Sequence, residues 1–119
     1  MWLFTPSGFL SIVADRQRPG HALVRARVCG DLDAFCERTG APAPRETPDR
    51  DYRFRTSVPF AVLAADLAAQ AEAIDYPNFK AAVADRQGHD RAQRYGEVWA
   101  VMHDLQEDAV RKSRGGATS

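Results

Sequence analysis

The segment Tyr52–Val58 reads YRFRTSV, and residues 59–74 directly after it read PFAVLAADLAAQAEAI. In the first segment, large or branched residues alternate with arginine and serine, which predicts a strand with one buried and one polar face. In the second, apolar residues recur every three or four positions, which predicts an amphipathic helix. A half-buried strand followed by such a helix indicates a sheet that has helices packed on one face.

Three more strands are predicted upstream, over residues 2–5, 9–14 and 22–28, with turn residues between them. The first two are rich in aromatic and branched residues. The third alternates, so that its alanines and valines share one face while Arg25 and Arg27 share the other.

Helical spacing also predicts a short helix over residues 31–39 and further helices from residue 79 onward, with Gly88 as a break. Residues 41–50 contain three prolines and no periodicity, which predicts a surface loop. The apolar stripe around Trp99 in the last helix is interpreted as core.

The predicted fold class is therefore α+β, with the order β-β-β-α-β-α-α. We expect a mainly antiparallel four-stranded sheet with helices packed on one face, and a ferredoxin-like arrangement is an alternative because two strand-then-helix units share a basic pattern. Residues 1–112 are expected to form a single α+β domain, and residues 113–119 a frayed C-terminal tail.

Composition narrows the cellular setting. The 119 residues contain 16 Lys and Arg against 16 Asp and Glu, so the whole-molecule charge does not favour nucleic acid or an anionic membrane. No apolar run approaches the roughly 20 residues of a membrane helix, and the N-terminus lacks the basic leader of a signal peptide. Two cysteines are too few for a disulfide scaffold, so we predict a cytoplasmic protein without membrane contact.

Several segments carry a resemblance to a known group of proteins. They are MWLFTPSGFLSIV, LVRARVCGDL, DYRFRTSV, IDYPNFKAAV and RQGHDRAQRYGEVW. Through them the chain resembles a family of small uncharacterised bacterial proteins. The resemblance implies an intact bacterial protein, and it implies no activity, ligand or functional residue.

The first candidate site is a basic sheet face. If the strands at 22–28 and 52–58 lie in one sheet, Arg25, Arg27, Arg53 and Arg55 share its polar side. Guanidinium groups bind phosphate through paired hydrogen bonds, which favours a polyanion site, and a solvated face is the alternative.

The second candidate is a cleft in the segment from residue 75 to residue 95. A carboxylate that orients a histidine, next to cations for an anion, is typical of an enzyme site. Helix capping and packing between helices explain the same residues without catalysis. The cleft candidates are Asp75, Tyr76, Lys80, Arg86, His89, Arg91 and Tyr95.

The third candidate is an interface formed by the first two strands, which are apolar on both sides. One side is needed for the core, and an uncovered second side would be an exposed apolar patch. A homodimer or another protein partner is therefore favoured over a self-contained monomer. The interface candidates are Trp2, Phe4, Phe9, Leu10 and Ile12.

Three hypotheses for function remain. The leading one is a small non-catalytic interaction or regulatory protein that acts through protein–protein contacts. The first alternative is a nucleic-acid (polyanion) binding protein that uses the arginine face, and the second is a small enzyme with a site around residues 75–95. No metal or cofactor is predicted, because the histidines are scattered and Cys29 and Cys36 lack the spacing of a zinc site.

Overall fold

Five strands and four helices follow one another along residues 1–116, the part of the chain described by the computed structural model. In chain order they are β1 (Trp2–Thr5), β2 (Gly8–Ala14), β3 (His21–Ala26), α1 (Cys29–Thr39), β4 (Arg45–Glu46), β5 (Phe54–Pro59), α2 (Phe60–Glu72), α3 (Phe79–Gln87) and α4 (His89–Gly116). The predicted α+β class is confirmed.

The strands form one open sheet in the order β1-β2-β3-β5-β4, and every neighbouring pair is antiparallel. The prediction of four strands missed β4, which lies inside the segment 41–50 expected to be a loop. Two residues among prolines carry no strand periodicity, and β4 forms because Arg45 and Glu46 pair with β5 at the sheet edge. The ferredoxin-like arrangement is not confirmed, because it joins two parallel strands through a helix with a third strand between them, whereas β3 and β5, which flank α1, are direct antiparallel neighbours.

Alternation along the strands divides the sheet into a core face and an outer face. The core face packs against α1 and α2, as the sequence predicted for helices on one side. The outer face is the opposite side of the sheet. The buried core residues are Leu10, Ile12, Ala22, Val24, Ala26, Leu32, Phe35, Val58 and Leu63.

Helices α1 and α2 are held together by a two-point ion pair beside the core. Arg38 Nε donates to Asp66 Oδ1 at 3.0 Å and Arg38 Nη2 donates to Oδ2 at 3.2 Å. Asp66 is buried, so both of its oxygens need such partners. Gly40, with φ of 72°, ends α1 in the left-handed conformation that glycine adopts without steric cost.

The chain divides into two compact units, the first Met1–Pro77 and the second beginning at Asn78. The second contains α3 and α4. Asn78 caps α3 by accepting a hydrogen bond from Ala81 N at 2.9 Å, and the Phe79 ring stacks on that of Tyr95. The single domain over residues 1–112 remains a prediction. Helix α4 continues to Gly116, past the start of the expected frayed tail, and residues 117–119 of that tail lie outside the described residues.

The β1–β2 turn is attached to the start of α1 through one buried carboxylate. Asp31 is 7% exposed, and its Oδ2 accepts a hydrogen bond from Phe9 N at 3.0 Å. The carboxylate reaches that amide only because Gly8 has no side chain. A Cβ at Gly8, where φ is 149°, would lie 2.6 Å from Asp31 Cγ.

Replacing Gly8 by alanine is therefore expected to lower the free energy of unfolding by about 1–3 kcal/mol, through backbone strain and steric overlap. Urea unfolding followed by circular dichroism measures the change. Gly30→Ala is the matched control, because a Cβ at Gly30 meets no atom within 4 Å. Equal stability of the two variants would contradict this account of the turn.

Candidate functional site

One row of side chains crosses the outer face from edge to edge. Trp2 pairs with Ser11, Ser11 with Arg25, Arg25 with Arg55, and Arg55 with Arg45. Residues directly opposite each other in antiparallel strands point to the same face, so all five share the outer face. With neighbouring strands about 4.8 Å apart, this transverse row is about 19 Å long. It places one indole and three guanidinium groups on one line.

Arg25, in the middle of the row, is held in place by its neighbours. Its Nη2 donates to Ser11 Oγ at 2.7 Å, and its guanidinium carbon lies 4.6 Å from the centroid of the Tyr52 ring. Tyr52 is buried, and the guanidinium of Arg27 also stacks on it, at 4.1 Å. The Nε of Arg25 is buried and has no hydrogen-bond partner within residues 1–116. The tyrosine and the serine thus orient a cation that lacks a carboxylate partner.

The other two predicted arginines lie just outside the strands. Arg27 follows β3 and donates to the backbone oxygen of Asp51 at 3.1 Å, with its Oδ1 at 3.3 Å. Arg53 precedes β5, and its Nε donates to Glu46 Oε1 at 2.7 Å. Of the predicted set of four, Arg25 and Arg55 therefore belong to the row, whereas Arg27 and Arg53 lie beside it and each contacts a carboxylate.

Beside the row, four arginines surround an open cleft of about 550 Å³. We call it the arginine cleft, and its basic residues are Arg16, Arg45, Arg50 and Arg55. Among the described residues that line it, Asp15 alone carries a carboxylate. Among the described residues, no carboxylate forms an ion pair with any of these four arginines. Sequence reasoning missed Arg16, Arg45 and Arg50, because the first follows β2 in a turn and the other two lie in a segment without periodicity.

The positive charges around Arg55 change the pKa of its guanidinium. Burial lowers the pKa of the Arg55 guanidinium below its usual range, and the positive charges of Arg25, Arg50 and Arg45 lower the pKa further. Asp51 acts in the opposite direction. Like charges that face each other across a sheet repel, and an anion in the cleft would reduce this repulsion.

Three aromatic rings occupy the end of the outer face away from the cleft. Phe4 and Phe9 stack with centroids 4.5 Å apart, and the Trp2 ring meets Phe9 edge-on at 6.0 Å. Trp2 is 68% exposed. Leu10 and Ile12, which were predicted as interface residues with these aromatics, lie in the core instead, because strand alternation turns them to the opposite face.

The seven cleft candidates are divided between the two units. Asp75 and Tyr76 belong to the end of the first unit, and the other five belong to the second. There Arg91 Nη1 donates to Tyr95 Oη at 3.4 Å, and Tyr95 is buried. The remaining three, Lys80, Arg86 and His89, are exposed. The packing seen around Tyr95 is the alternative expected for this segment, and a catalytic role for these residues stays a prediction.

The two thiols have raised pKa values. Desolvation raises the pKa of the Cys29 thiol, and the hydrogen bond and negative charge of Asp33 raise it further. Burial likewise raises the pKa of Cys36. A thiol with a raised pKa is a weak nucleophile at neutral pH. Within residues 1–116, no three His, Cys, Asp or Glu side chains are grouped so that they could hold a metal ion.

Comparisons with protein-family models, curated proteins and solved structures find no match to this chain. The resemblance to a bacterial family therefore stays a prediction. Over the described residues, no helix is both long enough and apolar enough to cross a membrane.

We expect the pKa of Asp15, the carboxylate of the arginine cleft, to depend on its hydrogen bond with the Ser57 hydroxyl. Ser57 Oγ donates to Asp15 Oδ2 at 2.7 Å, and this hydrogen bond is the main cause that lowers the pKa of Asp15. Ser57→Ala should therefore raise that pKa toward its ordinary value. A carboxyl with a lowered folded-state pKa stabilises the fold above its unfolded-state pKa and loses that contribution as the pH falls through the folded-state value.

Nuclear magnetic resonance titration of the Asp15 side chain measures the shift directly. The stability difference between the wild type and the variant should also shrink as the pH falls through the lowered pKa. Ser113→Ala, at an exposed position of α4, serves as the control. An Asp15 pKa that is the same in all three proteins would contradict the role given to Ser57.

Proposed function

We propose that this protein binds single-stranded nucleic acid across the outer face of its sheet. The observation that carries the proposal is the transverse row, which aligns Trp2 with Arg25, Arg55 and Arg45. Phosphate groups and unpaired bases alternate along a single strand. Along a line of cations that ends in an exposed indole, the cations can contact the phosphates and the indole can contact a base.

The arginines supply the phosphate contacts. Guanidinium groups donate paired hydrogen bonds to phosphate oxygens, and those of the arginine cleft have no carboxylate partner among the described residues. A phosphodiester backbone would also reduce the repulsion among Arg25, Arg55 and Arg45. The balanced total charge is compatible with this function, because the cations act as a local patch.

The aromatic rings supply the contacts to bases. Stacking of a base on an aromatic side chain contributes about 1–3 kcal/mol and tolerates any base. Trp2 is exposed on the face, and its ring meets Phe9, which in turn stacks on Phe4. A duplex keeps its bases stacked on each other and cannot use this contact, so single strands are preferred.

The hypothesis of an interaction protein ranks second for this face. Two of the five residues that suggested an interface, Leu10 and Ile12, belong to the core. The three aromatics left on the outer face share it with arginines that have no carboxylate partner among the described residues, which suits a nucleic acid better than an apolar protein surface. A bacterial, cytoplasmic setting remains part of the proposal.

Reversing two charges of the arginine cleft should abolish most of the binding. Arg45→Glu combined with Arg50→Glu changes two exposed residues, so the fold is kept. We expect the affinity for a fluorescent single-stranded oligonucleotide to fall about 100-fold, or about 2.8 kcal/mol. The slope of log K against log salt should become shallower by about 0.7 for each phosphate that the variant no longer neutralises. Fluorescence anisotropy at several salt concentrations measures both quantities.

The matched control is Arg86→Glu combined with Arg114→Glu, which makes the same change in net charge at two exposed positions of the second unit. It should retain the wild-type affinity. Binding that survives in the cleft variant, or that falls equally in both variants, would rule out the outer face as the binding surface.

Removing the exposed indole tests the contact with bases separately. Trp2→Ala should weaken oligonucleotide binding by about tenfold, within the range for one stacked base, and leave the binding of inorganic polyphosphate unchanged. In a Trp99→Phe background Trp2 is the only tryptophan, and the oligonucleotide should quench its fluorescence. Equal losses for both ligands would mean that the indole does not stack on a base.

A further inference from the structure

The arginine cleft concentrates more positive charge than one internal phosphate of a strand carries. Arg45 and Arg50 lie close enough to Arg55 for their charges to lower its pKa. Arg16 adds a fourth guanidinium, against the single carboxylate of Asp15. A phosphate inside a strand carries one negative charge. A phosphomonoester carries about 1.5–2 negative charges at neutral pH and has three acceptor oxygens, so it suits this cleft better.

The guanidinium groups of the cleft have donors to spare. Arg55 Nε donates to Tyr52 O at 3.3 Å, and within residues 1–116 the terminal nitrogens of Arg45, Arg50 and Arg55 donate to no acceptor. The turn that carries Arg50 is also fixed, because Thr47 N donates to Arg53 O at 2.6 Å and Arg50 N donates to Thr47 O at 3.0 Å. A site built in advance in this way loses little entropy when an anion binds.

The cleft lies where the transverse row reaches the edge of the sheet. Arg45 and Arg55 belong both to the row and to the lining of the cleft. Arg45 is in β4, the last strand on that side of the described sheet. A strand that follows the row from Trp2 therefore arrives at the cleft where the sheet ends. This position suits the terminus of a strand better than its interior.

The size and lining of the cleft suit a whole nucleotide. All of its lining residues belong to the first unit, and its volume of about 550 Å³ lies within the range of roughly 300–1,000 Å³ for small-molecule sites. Val13 and Leu23, directly opposite each other in β2 and β3, give it an apolar surface for a sugar or a base. The Asp15 carboxylate accepts hydrogen bonds from Gln17 N and Ser57 Oγ, and it has further lone pairs for a sugar hydroxyl.

We infer that the arginine cleft binds the terminal nucleotide of a single strand through a phosphomonoester at its end. Arg45, Arg50 and Arg55 hold the phosphate, and the apolar surface of the cleft contacts the nucleoside. The inference rests on the proposed function, because it names the part of the strand that the cleft binds. A phosphate at the 5′ end and one at the 3′ end share this chemistry, and the experiment distinguishes them.

The test compares three forms of one short oligothymidylate, with hydroxyls at both ends, with a 5′-phosphate or with a 3′-phosphate, each labelled at an internal base. Fluorescence anisotropy should show a terminally phosphorylated form binding at least about tenfold more tightly than the hydroxyl form, as expected for added charge-assisted hydrogen bonds. The form that gains affinity identifies the end. Equal affinities for all three would overturn the inference and leave the proposed function standing, whereas binding of none of them would overturn the proposed function.

One arginine separates the cleft from the row, because Arg50 lines the cleft and is not a member of the row. Arg50→Gln should reduce the preference for the phosphorylated strand to about twofold or less and weaken binding of the hydroxyl form by about threefold at most. Arg86→Gln removes the same charge at an exposed position of the second unit and should keep the full preference. A preference that survives Arg50→Gln, or that falls equally in both variants, would overturn the inference.

Competition by small ligands tests whether the cleft takes a nucleotide or a bare anion. Thymidine monophosphate, with its phosphate at the preferred position, should displace the phosphorylated strand at about tenfold lower concentration than inorganic phosphate, because the apolar surface of the cleft contacts the nucleoside. Thymidine without a phosphate should not displace it. Equal displacement by thymidine monophosphate and inorganic phosphate would show an anion site without nucleotide recognition and would overturn the inference.

Discussion

The antiparallel pairing of β3 with β5 is the constraint on which the rest of the first unit depends. Its register places Ala22 opposite Val58 and Val24 opposite Thr56 on the core face, where α1 and α2 cover them. The same register places Arg25 opposite Arg55 on the outer face. Since side chains alternate along a strand, a slip by one residue would turn the arginines into the core. Core packing and the position of the cations are thus set by one interaction.

The sheet places arginine side chains opposite each other, and the repulsion between their charges is unfavourable for folding. Arg25 and Arg55 lie opposite each other, with Arg45 next in line, and the hydrogen bond to Ser11 and the Tyr52 ring hold Arg25 in place. Elsewhere in the first unit, the buried carboxylate of Asp66 is matched by Arg38. A local conflict of this kind is expected where a surface has been shaped by a ligand.

The sequence by itself determined the elements with strong periodicity. Alternation over residues 22–28 and 52–58 predicted the two central strands and the arginines they carry, since one buried face imposes a period of two. The spacing of apolar residues likewise predicted α2, and Gly88 marked the break between α3 and α4. These signals are local and need no knowledge of the partner strand.

The tertiary structure alone decided which residues meet. Arg45 joins the transverse row because β4 pairs with the edge of β5, and a two-residue strand between prolines has no periodicity to reveal it. Leu10 and Ile12 could not be separated from Trp2 and Phe9 by sequence, because both faces of β2 are apolar and only the position of α1 chooses the core side. The exposure of Trp99 could not be predicted either, because an apolar stripe on a helix has the same pattern whether it lies in the core or on the surface.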